Sequence, residues 1–144
     1  MNGTLNPYTA VLVASYGGPN KPEDVLPFMR NATAGKGIPD ERLVEVSGHY
    51  HLFGGKSPIN ERNAEFLDAL RLELDRQGID VPVVIGNRNW HPFHSETVPG
   101  LVADGHTRVL GLATSAYDCY SSSGQYREDM DAAEEAVDGA IRIV

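Results

Sequence analysis

Thr9-Ala10-Val11-Leu12-Val13-Ala14-Ser15 runs directly into Tyr16-Gly17-Gly18-Pro19-Asn20-Lys21-Pro22, and the fold turns on how this junction is read. A compact apolar run containing β-branched residues and ended by a Gly/Pro turn reads as a buried strand followed by a loop. Beyond it the chain keeps alternating. A first helix is expected to open near Pro22-Glu23-Asp24, where Pro and two acids suit an initial turn, and to end before Gly35. Pro39-Asp40-Glu41 opens a second helix through about His51, stopped by Gly54-Gly55. A third runs from about Pro58 to Gln77, with Phe66, Leu67, Leu70 and Leu74 on one face and Gly78 just past its end.

Residues 81–85 read as a second buried strand, and the 87–92 loop leaves its carboxyl end. A helix over 95–104 is expected to be interrupted by Pro99 and Gly100. Residues 107–114 form a third strand, 115–124 a polar and aromatic loop, 125–138 a helix capped by Gly139, and 140–144 a fourth strand. Parallel strands separated by helices predict an open, mainly parallel α/β sheet with flanking helices, in one domain over residues 1–144. Ligands of such sheets sit outside the carboxyl ends of the strands. The three loops that leave those ends, 16–23, 86–93 and 115–125, are rich in Tyr, Trp, Ser, Asn and Arg, a mixture suited to a flat aromatic ligand with polar edges.

Composition narrows the function classes. Apolar residues make up 41% and charged residues 22% of the 144, which excludes a disordered chain. Twelve Lys and Arg against twenty Asp and Glu give a net charge of −8, and no basic cluster is present to track a phosphate backbone, so nucleic acid is not an expected partner. Six of the acids, Glu128, Asp129, Asp131, Glu134, Glu135 and Asp138, read as a solvated helix face. No apolar run approaches the ~18 residues of a membrane span, so no integral membrane segment is expected. Met1-Asn2-Gly3-Thr4 lacks the basic and apolar regions of a secretory signal. One cysteine, Cys119, cannot form an internal disulfide, and a cytoplasmic location is the expectation.

Individual motifs carry less. His49 and His51 lie in a helix at a spacing that points them apart, and His91 and His94 flank Pro92 in a loop with no third ligand in view. Gly17-Gly18-Pro19 lacks the spacing of a dinucleotide loop. Cys119 has neither a base nor a second cysteine beside it and reads as a buried or inert thiol. The Tyr117-Asp118-Cys119-Tyr120-Ser121-Ser122-Ser123 run is open between a ligand loop and a plain helix connection.

Taken in order, a wider set of segments resembles one family. Ala14-Ser15-Tyr16-Gly17-Gly18-Pro19 with Glu23-Asp24-Val25, His49-Tyr50 with Phe53-Gly54-Gly55-Lys56-Ser57-Pro58-Ile59-Asn60, Gly86-Asn87-Arg88-Asn89-Trp90-His91-Pro92, and Thr114-Ser115-Ala116-Tyr117 through Gln125-Tyr126-Arg127-Glu128 resemble the ferrochelatases. The likeness is greatest to coproporphyrin ferrochelatases of Gram-positive, especially actinobacterial, type. It implies insertion of ferrous iron into coproporphyrin III, giving coproheme and two protons, on a fold of two Rossmann-like halves. The chain resembles the N-terminal half only, with a second half missing. It ends at a predicted strand, which suits either a natural last strand or a truncated gene.

In the family the metal-inserting His and Glu belong to the second half, so no catalytic residue is expected among these 144. The resemblance puts Tyr16 where relatives place an axial tyrosine ligand of the product iron, since the hard Fe(III) ion lowers the phenol's own pKa. A tyrosine merely packed at a strand end would look the same. Ser57 matches a serine that binds a porphyrin propionate, though an N-cap would explain it almost as well. Tyr126 matches a tyrosine that hydrogen-bonds another propionate, or is a helix tyrosine packed on an amphipathic face. Tyr50, Arg88, Asn89 and His91 are further pocket candidates.

Two departures stand out. Thr33 and Ala34 occupy positions where some Gram-positive relatives carry an arginine pair, and Ser123 stands where many actinobacterial ones carry a cysteine. The [2Fe–2S] cluster of some relatives also needs cysteines from the missing part, so the resemblance implies none in this chain. Iron enters as substrate, and no resident cofactor is implied. Rival readings are a protoporphyrin ferrochelatase and a porphyrin- or haem-binding fragment without turnover.

Overall fold

The computed structural model describes residues 4–144. Its strands are β1 (Ala10–Ser15), β2 (Val83–Asn87), β3 (Arg108–Ala113) and β4 (Arg142–Ile143), and its helices α1 (Pro22–Ala32), α2 (Asp40–His51), α3 (Ile59–Arg76), α4 (His94–Ala103) and α5 (Gln125–Ala136). All strand pairs are parallel, in the order β2-β1-β3-β4. This is the open α/β sheet that the alternation of the sequence predicts.

β1 is central and buried at every position. The two-residue period of a strand sends Ala10, Leu12 and Ala14 into a core with Val98 and Leu101 of α4 and Tyr126, Met130 and Ala133 of α5. Val11 and Val13 point the other way, onto Leu67 of α3 and Val83 of β2. Helices therefore cover both faces, as an all-parallel sheet requires. The chain moves from β1 to β2 on one side and then to β3 on the other, so the strand order reverses between β1 and β3, where such sheets open their ligand crevice. A third cluster, Val25, Phe28 and Met29 of α1 with Leu43 of α2, is joined by Tyr50 and Trp90.

Several expectations need correction. β2 starts at Val83 rather than residue 81 and continues past Ile85, because Gly86 and Asn87 pair in register with Ala14 and Ser15. A hydrogen-bonded ladder accepts polar residues that an apolar pattern excludes. α4 passes unbroken through Pro99 and Gly100; the proline ring deprives only the Ser95 carbonyl of a donor, close to the helix start. His94 opens that helix instead of lying in the loop. The 115–124 connection is not wholly irregular, since Tyr120–Gly124 forms a π-helical turn. Phe66 is 42% exposed and leaves the face that Leu67, Leu70 and Leu74 share.

The acidic stretch is not simply a solvated face. Glu134 accepts a 2.6 Å hydrogen bond from the Ile143 amide, while Arg127 donates to the Ile143 carbonyl at 2.7 Å. These α5 side chains secure the short edge strand β4. Cys119 is exposed, contrary to a buried thiol, and hydrogen bonds from Ser121 and Ser122 hold its pKa below the ordinary thiol range.

Candidate functional site

The crevice is built on the turn that follows β1. Gly17 has φ +79°, a conformation that L side chains rarely adopt, and a Cβ there would lie 3.0 Å from Asn87 Cβ and 3.1 Å from Trp90 Cβ. The loops after β1 and β2 are thus pressed together. They are also stitched, because the Arg88 amide donates to the Ser15 carbonyl and the Asn89 amide to the Tyr16 carbonyl, each at 3.0 Å. On the other flank the Thr114 amide donates to the Ala14 carbonyl at 2.9 Å.

Tyr16 stands at this junction, 38% exposed. Its ring meets Phe28 edge-on at 6.0 Å, and Phe28 meets Tyr50 in the same way at 6.0 Å. Such T-shaped contacts fix ring orientation as well as burying area. Burial, followed by the neighbouring Tyr50 phenol, pushes the Tyr16 pKa above its ordinary value, and Arg88 pulls against that rise. Tyr16 is therefore a neutral phenol around neutral pH.

Ser57 reaches the same neighbourhood from the start of α3. Its amide donates to the Pro19 carbonyl at 2.9 Å, and Asn60 donates to Asn20 Oδ1 at 2.9 Å and to the Gly18 carbonyl at 2.6 Å. Gly18 leaves room for no Cβ, which would stand 2.8 Å from Ser57 Cβ. Ser57 Oγ accepts from the Ile59 amide at 3.3 Å, and its own O–H stays available as a donor. Ser57 and Tyr50 line one groove with His49, Phe53, Lys56 and Pro58. Deeper down, the buried Asn63 donates to Ser15 Oγ at 2.8 Å and ties α3 to the end of β1.

Arg88 extends from the end of β2 to α5. Its Nε donates to Asp129 at 2.7 Å and Nη1 to Gln125 at 3.0 Å. The guanidinium carbon lies 4.7 Å from the Tyr126 ring centroid and 6.0 Å from that of Tyr16. Tyr126 belongs to the core and is 8% exposed. Tyr50, Arg88 and Tyr126 thus neighbour Tyr16 at the end of β1, and Ser57 shares a groove with Tyr50.

Asn89 and His91 differ from that group. Asn89 is buried, its carbonyl accepting from Asn31 at 3.1 Å. His91 bonds Glu96 at 2.6 Å and packs edge-on against Trp90 and Phe93. Among the described residues, no three His, Cys, Asp or Glu side chains are placed to hold a metal ion together, and no helix is long and apolar enough to cross a membrane.

Sequence reasoning missed Asp129, Gln125 and the burial of His94. The His94 ring packs directly on Gly86, where any Cβ would collide with it. Burial lowers its pKa, with Asp129 opposing and Arg88 adding to the shift. His94, Arg88 and Asp129 also line a cavity of about 350 Å³ between α4 and α5. The one available signal was the 125, 126, 129 spacing, which puts Gln125, Tyr126 and Asp129 on a single helix face.

Comparison with known proteins now adds to this geometry. The family model described as Ferrochelatase matches residues 8–144. A coproporphyrin III ferrochelatase of Streptomyces coelicolor is 54% identical over 125 residues, covering 87% of this chain and 33% of the relative. One of Corynebacterium diphtheriae is 48% identical over 127 residues, 88% of this chain and 34% of its own. A ferrochelatase of Rhodopirellula baltica is 47% identical over 137 residues, 94% and 39% of the two chains. The chain spans about a third of the length of the curated relatives it matches.

Proposed function

The chain belongs to the ferrochelatase family, and from that premise we propose that it is the N-terminal, porphyrin-holding domain of a coproporphyrin III ferrochelatase, acting in haem biosynthesis in the cytoplasm. The reaction places Fe²⁺ in coproporphyrin III and releases two protons. Removal of those protons falls to the His and Glu that the family resemblance assigns to a second half. The present residues hold one face and the carboxylate rim of the macrocycle.

The observation that carries this reading is Tyr16: a partly exposed phenol at the strand-order reversal, framed by Phe28, Tyr50 and Arg88. A flat ligand entering there meets the Tyr16 oxygen, with the Ser57 hydroxyl on an adjoining loop as donor to a propionate. Because the phenol is neutral beforehand, ligation by Tyr16 of ferric coproheme, the form left when dioxygen oxidises the ferrous product, displaces one proton. The preference for coproporphyrin over protoporphyrin follows from its two additional propionates, each an acceptor for charge-assisted hydrogen bonds.

Ferric coproheme added to the chain is expected to give a high-spin spectrum with a phenolate-to-iron charge-transfer band. Tyr16→Phe keeps the ring against Phe28 and removes only the ligand, so the band should vanish while Tm barely moves. An unchanged spectrum in that variant would make Tyr16 a packing residue. Fluorescence titration should show tighter binding of coproporphyrin III than of protoporphyrin IX; equal affinities would favour a protoporphyrin enzyme.

A further inference from the structure

We propose that Asp129 and Gln125 are positioning residues, which clamp Arg88 against the rings of Tyr16 and Tyr126 and thereby set the two tyrosines for the porphyrin; this rests on the function proposed above. Arg88 is fixed twice. Its backbone is joined to β1 through the Ser15 carbonyl, and its side chain is joined to α5 through Asp129 at 2.7 Å and Gln125 at 3.0 Å. The two α5 partners are one helical turn apart, with Tyr126 beside them on the same face.

The clamp bridges what would otherwise be independent parts. Tyr16 follows β1, Arg88 follows β2 and Tyr126 lies in α5, and the guanidinium lies over both rings. A planar fork can take a carboxylate and an amide oxygen along its edge while its face rests on an aromatic ring; the ammonium of lysine cannot. The side chains of Arg88 and Asp129 are 19% and 23% exposed. A charge pair so far removed from water repays little of its desolvation as stability, and its better-attested use is to select one arrangement. Arg88 Nη2 is itself buried without a hydrogen-bond partner, so the fork is held by Nε and Nη1.

Asp129→Asn keeps the shape and removes the charge, and Asp129→Glu restores the carboxylate. In ¹⁵N spectra of the unaltered chain the Arg88 Nε–H signal should be protected from exchange. Asp129→Asn should lose that protection and shift the ring resonances of both Tyr16 and Tyr126, and it should also lower Tm, because Arg88 is left without its counter-charge; Asp129→Glu should restore all three. Coproporphyrin III affinity should drop about tenfold in Asp129→Asn and in Arg88→Lys, with partial recovery in Asp129→Glu. Unmoved tyrosine resonances, or an Asp129→Asn affinity within twofold of the unaltered chain, would overturn the positioning role. Failure of the unaltered chain to bind coproporphyrin III would instead refute the function proposed above, and the ring shifts would still decide whether the clamp orients the tyrosines.

Discussion

Replacing Gly18 by Ala tests whether the loop after β1 holds Ser57 where a propionate would need it. A Cβ on Gly18 would lie 2.7 Å from Ile59 Cγ2, 2.8 Å from Ser57 Cβ and 3.0 Å from Ser57 Oγ, whereas carbons in contact settle at roughly 3.5–4.0 Å. Gly18 is not one of the glycines with positive φ, so the substitution adds no backbone strain and its effect is steric. Both neighbours lie at the entry to α3 and must retreat by about 1 Å. Overpacking of this kind costs about 1–3 kcal/mol, a Tm decrease of roughly 3–10 °C for a chain of this size. Displacing the Ser57 hydroxyl from a carboxylate removes a hydrogen bond worth about 1.5–3 kcal/mol, or roughly 10–100-fold in affinity. Thermal unfolding followed by circular dichroism reads the first quantity, and fluorescence titration with coproporphyrin III the second, with Ser57→Ala alongside. A lowered Tm with unchanged affinity would remove Ser57 from the porphyrin contacts. An unchanged Tm would show that Gly18 does not pack on Ser57 as described.

Three other outcomes are expected. Asn63→Leu leaves the fully buried Ser15 Oγ without its donor, which should cost about 1–3 kcal/mol in denaturant unfolding; a neutral result would mean that Ser15 Oγ finds another donor. The His94 pKa is lowered in the folded state, so the unfolded chain binds more protons just below the ordinary value of 6.5. Stability should be complete above that pH and decline as the pH falls toward the lowered value; His94→Gln should flatten the decline in Tm, and an identical pH profile would show that His94 is not its source. Finally, the 144-residue chain by itself should insert no Fe²⁺ into coproporphyrin III above the uncatalysed rate, since the family's His and Glu are not matched within it; measured turnover would place the chemistry among these residues.

What the sequence disclosed depended on whether the cause was local. The run 10–15 is continuous, apolar and bounded by Gly and Pro, and it forms the central strand. Gln125 and Ala136 bound α5 close to expectation, because periodicity and a C-terminal glycine are read within a dozen residues. Asn87 reads locally as loop, because its strand membership comes from the amide ladder with Ser15, a partner distant in sequence. Tyr16, Tyr50, Ser57 and Tyr126 came from family likeness, and topology alone would have named only Tyr16. The Arg88–Asp129 pair was hidden because it spans 41 positions, and the acids of α5 look alike until one of them meets a guanidinium. His94 could be read as loop or ligand from its type, whereas its burial follows from Gly86 beneath it.

The position of β1 has a further consequence for how the chain is made. It is synthesised before β2, β3 and β4, yet its registered partners are Val83–Asn87 on one side and, on the other, Val109–Ala113. Until those segments leave the ribosome, an uncharged, β-branched stretch, Ala10-Val11-Leu12-Val13-Ala14, keeps both of its edges open, the condition in which short apolar segments pair between chains. Closing two long loops onto one strand is also slow, because the entropy of closure is lost before the sheet returns any contact energy. Recovery of folded protein from denaturant should therefore decrease as the chain concentration rises, even where the native state, with that strand fully covered, stays clear.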